Sequence, residues 1–168
     1  MQPVETTDLA RIYDEHFDTV WNHLRRMGIS GADRDDLAQE VFLVVHRRLD
    51  HYDRSRPMRP WLLGIAARVA LHHWRSTRRT PIAPEAPVEE TAAPADDDHA
   101  ARLLLGSLLA SLDPERRTIV LLRELEGFSA PEIAELIEVP LNTVYSRLRR
   151  AREDMTALAE RWQRKEER

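Results

Sequence analysis

The sequence predicts an all-α protein made of two small helical domains joined by a flexible acidic linker. Apolar residues recur at steps of three and four through most of the chain, as they do on the buried face of an amphipathic helix. No segment alternates polar and apolar residues for long enough to indicate a β-strand. A break rich in proline, alanine and acid, residues 81–100, interrupts the helical pattern. With 168 residues, the chain is long enough for two such domains.

The N-terminal part predicts three helices. The first ends near Gly28, a residue typical of helix ends, and the second begins with Asp33 as its expected N-cap. The apolar face of the first helix consists of Leu9, Ile12, Tyr13, Phe17, Val20, Trp21 and Leu24. The apolar face of the second consists of Leu37, Ala38, Val41, Phe42, Val45 and Leu49. The stretch HYDRSRPMRP then breaks the pattern with two prolines, and a third helix is predicted from about Trp61 to Arg79.

Residues 81–100 form the acidic break between the two helical parts. They carry no lysine or arginine and six acids, which are Glu85, Glu89, Glu90, Asp96, Asp97 and Asp98. Without those six acids the formal net charge rises from −4 to +2, so the overall acidity does not exclude nucleic-acid binding. Because prolines and alanines leave little to bury, we predict an extended, mobile linker. It divides the chain into a domain of residues 1–80 and a domain of residues 101–168.

The third helix and the loop before it concentrate basic residues. One stripe of the helix, at spacings of four, three and four, consists of Arg68, His72, Arg75 and Arg79. Apolar positions elsewhere around this helix are Leu62, Ile65, Ala66, Val69 and Trp74. The preceding segment adds Arg54, Arg56, Arg59 and Trp61. Such a surface suits a nucleic-acid backbone whose unstacked bases rest on aromatic and guanidinium planes, although a solvated face beside core tryptophans gives the same pattern.

The C-terminal part carries stronger local signals. In LDPERRTIVLLRELEGFS, Asp113 is the expected N-cap, Pro114 fits the first helical position and Gly127 ends the helix. Ser129 and Glu132 are three residues apart and predict a capping box for the next helix. The inward residues of that helix are Ile133, Ala134, Leu136 and Ile137.

A tight turn at Pro140 separates this short helix from a basic one that starts near Asn142 or Thr143. The basic helix is expected to bury Val144, Leu148, Ala151 and Met155. Two helices across a tight turn, the second basic, are typical of a helix-turn-helix that inserts its second helix into the DNA major groove. The outward face of that helix carries Asn142, Thr143, Tyr145, Ser146, Arg147, Arg149, Arg150 and Arg152. A helical hairpin that packs on another protein is the alternative interpretation.

The composition argues against several kinds of site. The chain has no cysteine, which excludes disulfides and thiolate chemistry. His72 and His73 point to different sides of a helix with no acidic partner at ligand spacing, so no metal site is expected. No nucleophile arrangement or phosphate-binding loop is evident, so we expect no catalytic residue, no cofactor and no enzyme activity. No apolar run approaches the roughly 18 residues of a membrane span and no signal peptide is evident, so we expect a cytoplasmic protein without membrane insertion.

Two blocks of the sequence resemble the sigma factors of bacterial RNA polymerase. The stretch DLAQEVFLVVHRRLDHYDRSRPMRPWLLGIAARVALHHWRSTRR, residues 36–79, resembles sigma region 2. The stretch LDPERRTIVLLRELEGFSAPEIAELIEVPLNTVYSRLRRARE, residues 112–153, resembles sigma region 4. Their order and the short linker between them resemble the extracytoplasmic-function, or group 4, branch of the sigma-70 family. The resemblance implies a factor that binds core polymerase and directs transcription initiation at promoters with minus-10 and minus-35 elements.

The resemblance also implies three binding surfaces. The polymerase surface, which docks on the clamp helices of the β′ subunit, consists of Asp36, Gln39, Glu40 and Leu43. The minus-10 surface, which captures a flipped base and opens the duplex, consists of Arg54, Arg56, Arg59, Trp61, Arg68, His72, Arg75 and Arg79. The minus-35 surface is the outward face of the basic helix, from Asn142 to Arg152. The family further implies contact with the polymerase β flap and a cognate anti-sigma factor.

Two other functions fit parts of the sequence. An ordinary DNA-binding regulator would use the N-terminal domain for dimerisation or ligand sensing, but it has no need of DLAQEVF and an arginine-rich loop in one module. A helical scaffold that only binds proteins leaves the arginine cluster from Arg147 to Arg152 unexplained. The sequence therefore favours a promoter-directing initiation factor.

Overall fold

A computed structural model describes residues 6–77 and 96–166 of the chain. Within those residues the chain is all-α, as predicted, with no β-strand. The helices are α1 (Thr6–Arg26), α2 (Gly31–Arg48), α3 (Met58–Thr77), α4 (Asp96–Ala110), α5 (Pro114–Val120), α6 (Ala130–Leu136) and α7 (Leu141–Glu166). A 3-10 turn at Leu49–His51 follows α2, and a π-helical turn at Leu121–Leu125 extends α5.

The N-terminal unit is a bundle of α1, α2 and α3, which all contact one another. The apolar stripe predicted for α2 is buried, from Leu37 to Leu49. Helix α3 is buried over most of its length, and Leu62, Leu63 and Ile65 are each at most 1% exposed. Burial of this apolar surface is what stabilises three helices that would be marginal on their own.

Two predicted helix starts in this unit were wrong. Ser30, not Asp33, is the N-cap of α2: its hydroxyl oxygen accepts the backbone N–H of Asp33 at 3.3 Å and donates to the Asp33 carboxylate at 2.6 Å. Both residue types can cap a helix, and α2 begins soon after the left-handed turn at Gly28, whose φ is 88°. Helix α3 begins at Met58 rather than Trp61, because Pro60 fits a first helical turn.

The local signals of the C-terminal unit are confirmed. Asp113 caps α5 and accepts the backbone N–H of Arg116 at 2.9 Å. Gly127 has a φ of 77°, a left-handed conformation that glycine adopts without steric cost. Ser129 and Glu132 form the predicted capping box, in which the Glu132 carboxylate accepts the Ser129 backbone N–H at 2.7 Å. Helices α6 and α7 then pack together as a helix-turn-helix.

The predicted linker is wrong at its C-terminal end. Helix α4 begins at Asp96, so residues 96–100 are helical rather than extended. Three successive aspartates stand at this helix start, where the macrodipole favours negative charge, and α4 contacts α7 further along. The remaining part of the predicted linker lies outside the described residues.

The two helical units pack against each other. Helix α3 contacts both α5 and α6, and buried apolar residues of the two units form one continuous core. Arg117, which is fully buried, donates to the carbonyl of Leu109 at 2.8 Å and to the carbonyl of Met27 at 3.1 Å. Burial lowers the pKa of Arg117 to about 10, and its guanidinium ties the end of α1 to the end of α4.

The capping box generates a stability prediction. Ser129→Ala removes the side-chain acceptor at the start of α6, so we expect a loss of about 1 kcal/mol in unfolding free energy. For a chain of this size the thermal midpoint should fall by roughly 2–4 °C, measured by circular dichroism. Thr156→Ala, at an exposed position in α7, is the control and should leave the midpoint nearly unchanged. Equal midpoints for the two variants would show that the box does not stabilise α6.

Candidate functional site

The predicted polymerase surface is one exposed face of α2. Asp36, Gln39 and Glu40 are exposed, and the side chain of Leu43 is 58% exposed. Their spacing of three, one and three residues places them together on the side opposite the buried stripe. This face contributes nothing to the core, so its acidic residues and its exposed leucine are free to contact another protein.

The loop before α3 has a defined conformation. The Asp53 carboxylate accepts the backbone N–H of Ser55 at 3.0 Å and its hydroxyl at 2.7 Å. These bonds to Ser55 hold the pKa of Asp53 below its ordinary value. The rings of Tyr52 and Trp61 lie 4.6 Å apart, and the Tyr52 hydroxyl donates to the carbonyl of Arg56. The loop therefore presents two neighbouring aromatic rings at the start of α3.

Three arginines of the predicted minus-10 surface are paired with acids of the C-terminal unit. Arg59 lies 2.5 Å from the carboxylate of Glu126. Arg68 lies 3.1 Å from Glu138, and Arg75 donates to Glu115 at 2.8 Å. The sequence predicted a basic edge open to nucleic acid, whereas these three arginines already hold acids of the C-terminal unit. The pattern in α3 alone holds no information about the acids that lie opposite.

The remaining residues of the predicted minus-10 surface differ in how exposed they are. Arg54, Arg56 and His72 are exposed, and Trp61 is half-buried. Arg79 lies outside the described residues. Arg56 contacts the neighbouring Asp53 at 3.7 Å, within the loop itself. Arg59 and Arg75 are paired with acids and yet exposed, so among the paired α3 arginines only Arg68 is half-buried.

Glu126 is a site residue that sequence reasoning missed. Its side chain is only 2% exposed, and it faces Arg59, Arg26 at 3.7 Å and His23 at 3.9 Å. The pKa of Glu126 lies below its ordinary value, first because of the facing His23 side chain and then because of the Arg59 and Arg26 charges, while burial opposes them. At 3.9 Å the His23 imidazole lies beyond ordinary hydrogen-bond distance of the Glu126 carboxylate. In the sequence, Glu126 is one more acid in an acidic stretch, with no signal that it is buried.

The basic helix α7 exposes most of the predicted minus-35 surface. Tyr145 is 53% exposed, and Ser146, Arg149 and Arg150 are exposed beside it. The opposite side of the helix is buried at Val144, Leu148 and Ala151. Asn142 and Arg152 are also exposed, and Thr143 is half-buried. These exposed side chains lie on one side of α7 and form a continuous polar face from Asn142 to Arg152.

The arginines of α7 differ in their partners. Arg149 donates to Glu153 at 2.8 Å, one turn along the helix, and Arg152 donates to Glu124 at 3.4 Å. Arg150 has no ion-pair partner among the described residues. Arg147 was predicted to point outward, but its side chain is only 23% exposed and pairs with Glu115. Arg147 therefore lies against α5 and apart from the exposed face.

The described residues contain no group of three His, Asp or Glu side chains placed to hold a metal ion. Among them there is also no helix with the length and apolar character needed to cross a membrane. The described residues present three exposed surfaces that differ in chemistry: an acidic face on α2, an aromatic and basic loop beside α3, and a basic face on α7.

Comparison with known sequences assigns both units. Residues 12–80 match the profile of sigma-70 region 2, and residues 102–155 match the profile of sigma-70 region 4. The RNA polymerase sigma factor CarQ of Myxococcus xanthus is 35% identical over 128 residues, which are 74% of each chain. The ECF RNA polymerase sigma factor SigC of Mycobacterium tuberculosis is 31% identical over 146 residues, 84% of this chain and 77% of that relative. The chain belongs to the extracytoplasmic-function family of RNA polymerase sigma factors.

A solved structure shares the fold. The sigma factor RpoE of Bartonella quintana, crystallised with the anti-sigma factor NepR, superposes with a TM-score of 0.69 at 16% identity, over 92% of this chain and 98% of that one. As a sigma factor, the protein binds core RNA polymerase and directs initiation at promoters with minus-10 and minus-35 elements. Catalysis belongs to the polymerase, since members of this family are initiation factors and not enzymes.

The setting of Glu126 predicts a pH dependence. Its folded pKa is depressed, so the stabilisation it provides is complete above its unfolded value and is lost as the pH falls through the folded value. As the pH falls below about 5, the urea midpoint of the native chain should therefore fall more steeply than that of Glu126→Gln. At neutral pH the variant should be the less stable, because Arg59 and Arg26 lose their carboxylate partner.

Glu135→Gln is the matched control, since Glu135 is exposed on α6. Its urea midpoint should follow the native pH profile. The electrostatic role assigned to Glu126 is excluded if Glu126→Gln and the native chain lose stability in parallel as the solution is acidified.

Proposed function

We propose that this sigma factor reads its promoter with the exposed face of α7 and opens it with the loop before α3, while the α2 face holds core polymerase. The observation that carries the proposal is the two-sided character of α7. Val144, Leu148 and Ala151 are buried, while Tyr145 and Arg150 lie exposed on the other side. A helix anchored along one side with polar and basic residues along the other fits a DNA major groove.

The α7 face has the chemistry of a minus-35 surface. Arg149 and Arg150 can each offer two donors to the O6 and N7 atoms of a guanine, and Tyr145 and Ser146 supply shorter contacts one turn earlier. Arg152 lies nearer the C-terminal end of the exposed face and suits a phosphate. Arg147, paired with Glu115, would support the helix position rather than read bases.

The loop before α3 has the chemistry of a minus-10 surface. A flipped base needs an aromatic or guanidinium plane on which to stack, and Tyr52 and Trp61 lie side by side there. Arg54 and Arg56 are exposed in the same loop and can neutralise the strand backbone. Arg59, Arg68 and Arg75 of α3 continue the basic character of this surface, each paired with an acid of the C-terminal unit.

The polymerase surface and two further expectations complete the proposal. Leu43, with Gln39 and Glu40 beside it, gives α2 an apolar centre with polar flanks, which is common at protein interfaces. The structural relative RpoE was crystallised with an anti-sigma factor, and we propose that an anti-sigma factor also regulates this protein. We place it in the cytoplasm, where core RNA polymerase and promoter DNA are found.

The polymerase surface predicts the effect of a double variant. Gln39→Ala combined with Glu40→Ala should weaken binding to core polymerase about tenfold or more, because two exposed polar side chains beside the apolar centre of the interface are lost. The unfolding midpoint should stay the same, since neither side chain packs in the core. Fluorescence titration of labelled protein with core polymerase measures the affinity.

Glu15→Ala is the control for this pair, because it also removes one negative charge from an exposed helical position, on α1. It should bind core polymerase as the native chain does. Native affinity in the double variant would remove α2 from the polymerase interface.

The α7 face predicts two different arginine phenotypes. Arg150→Ala should lose about 1–3 kcal/mol of binding free energy on a promoter fragment that the holoenzyme uses. It should also bind with less preference for one particular base at one position. Arg152→Ala should weaken binding evenly across sequences and make the salt dependence shallower by about one unit. Binding curves on single-base promoter variants at several salt concentrations separate the two. If both arginines behave like the phosphate contact, α7 holds DNA without reading it, and promoter choice lies elsewhere.

A further inference from the structure

We propose that Glu115 and Arg116, at the start of α5, are positioning residues that set the rotation of α7 about its own axis. Neither belongs to the minus-35 surface predicted from the sequence, and each holds a partner on α7. Together they decide which α7 side chains face the major groove. The inference deepens the proposed function of α7 and rests on it. It is carried by the two contacts, by their place on the helix and by the anchoring of the α5 start.

Two ion pairs join neighbouring residues of α5 to α7. The guanidinium of Arg147 donates to the Glu115 carboxylate, and the guanidinium of Arg116 donates to the Asp154 carboxylate. Arg147, Glu115 and Arg116 are half-buried, so these charges are partly shielded from water. Charge-assisted hydrogen bonds are directional as well as attractive. The two ion pairs therefore fix an angle between the helices as well as a distance.

Both ion pairs meet α7 on the same flank. Arg147 and Asp154 are seven residues apart, which places them about two turns apart along one side of the helix. That side lies next to the buried stripe of Val144, Leu148 and Ala151. Two contacts on one flank, separated along the axis, restrict both the rotation of α7 and its tilt against α5.

The buried stripe and the ion pairs contribute differently to the position of α7. Burial of the apolar stripe attracts the helix to its neighbours, but the hydrophobic effect has no direction of its own. A side chain in a binding site must be held within about 10–20° of its productive orientation. Arg149 and Arg150 lie on the same helix, so any rotation of α7 moves both of them relative to the bases. The directional contacts at Glu115 and Arg116 supply this part of the precision.

The start of α5 is itself well anchored. Asp113 accepts the backbone N–H of Arg116 at 2.9 Å and lies 2.6 Å from its guanidinium. Pro114 stands in the first helical turn, where its fixed φ suits the helix. Arg117 is fully buried and fastens the same turn to two backbone carbonyls outside α5. Because this turn is held from several sides, it can serve as the fixed end of both contacts to α7.

Glu115 has a second partner in the N-terminal unit. Arg75 of α3 donates to one oxygen of its carboxylate at 2.8 Å, while Arg147 donates to the other. Arg75 orients the carboxylate from the side away from α7. The contact between Arg116 and Asp154 lies wholly within the C-terminal unit, so it tests the positioning role apart from any contact between the two units.

The test measures base preference instead of affinity alone. Holoenzymes that carry Glu115→Ala or Asp154→Ala bind a set of duplex fragments of one promoter that the native holoenzyme uses, each with a single base changed in the minus-35 element. Preference at one or more of these positions should fall about fivefold or more, the lower end of what one bidentate arginine–guanine pair contributes. Partial unfolding lowers binding to every fragment equally, so a purely structural loss leaves the affinity ratios unchanged.

Three further variants isolate the contact between Glu115 and Arg147. Glu135→Ala removes the same kind of side chain from an exposed position on α6 and should keep the native ratios. Arg75→Ala removes the other partner of Glu115 and should also keep the minus-35 ratios, whatever happens to overall promoter affinity. Arg147→Ala should change the ratios as Glu115→Ala does. Combining these last two should change them no further, because each breaks the same contact.

Native ratios in Glu115→Ala or in Asp154→Ala overturn the positioning role of the corresponding contact. A change in Arg75→Ala as large as that in Glu115→Ala overturns the assignment to Arg147. Arg150→Ala separates these results from the proposed function. If Arg150→Ala loses base preference while the other variants keep it, α7 reads the promoter and the positioning role alone is overturned. If Arg150→Ala also keeps the native ratios, base reading by α7 is overturned together with it.

Discussion

The contact between Gly64 and Leu136 is the constraint on which the arrangement of this protein depends. Because α3 has no side chain at that point, the end of α6 reaches its backbone, and the Leu136 carbonyl accepts the Arg68 guanidinium. From there the chain turns at Glu138 and enters α7. The orientation of the helix-turn-helix relative to the N-terminal bundle follows from this one close approach, with Arg117 as a second tie near the ends of α1 and α4.

The charges of this chain are segregated, so that a protein of negative net charge still has basic surfaces for DNA. The net charge of −4 hides two basic surfaces, one on α7 and one around α3. The acids that balance the second surface come from the C-terminal unit, so they are ion-pair partners of arginines and not only solvated charges. Glu126 shows the difference most clearly, since it is buried among Arg59, Arg26 and His23 rather than solvated.

Features with short-range signals were predictable from the sequence, and features that depend on distant residues were not. The Asp113 cap, the Ser129 capping box and the buried stripe of α2 were predicted because each is decided within a few residues. The burial of Glu126 and the pairing of Arg147 with Glu115 were not predicted. Both depend on residues that only folding brings close together. Helix α4 was missed at its start because an acidic run resembles a linker until its packing partner is known.

The most direct test of the promoter-directing role is run-off transcription by core RNA polymerase on genomic fragments, with and without this protein, followed by mapping of the start sites. The added protein should produce new starts, each preceded at a fixed spacing by the same pair of minus-10 and minus-35 elements. Starts that are unchanged by a folded, polymerase-bound chain would contradict that role.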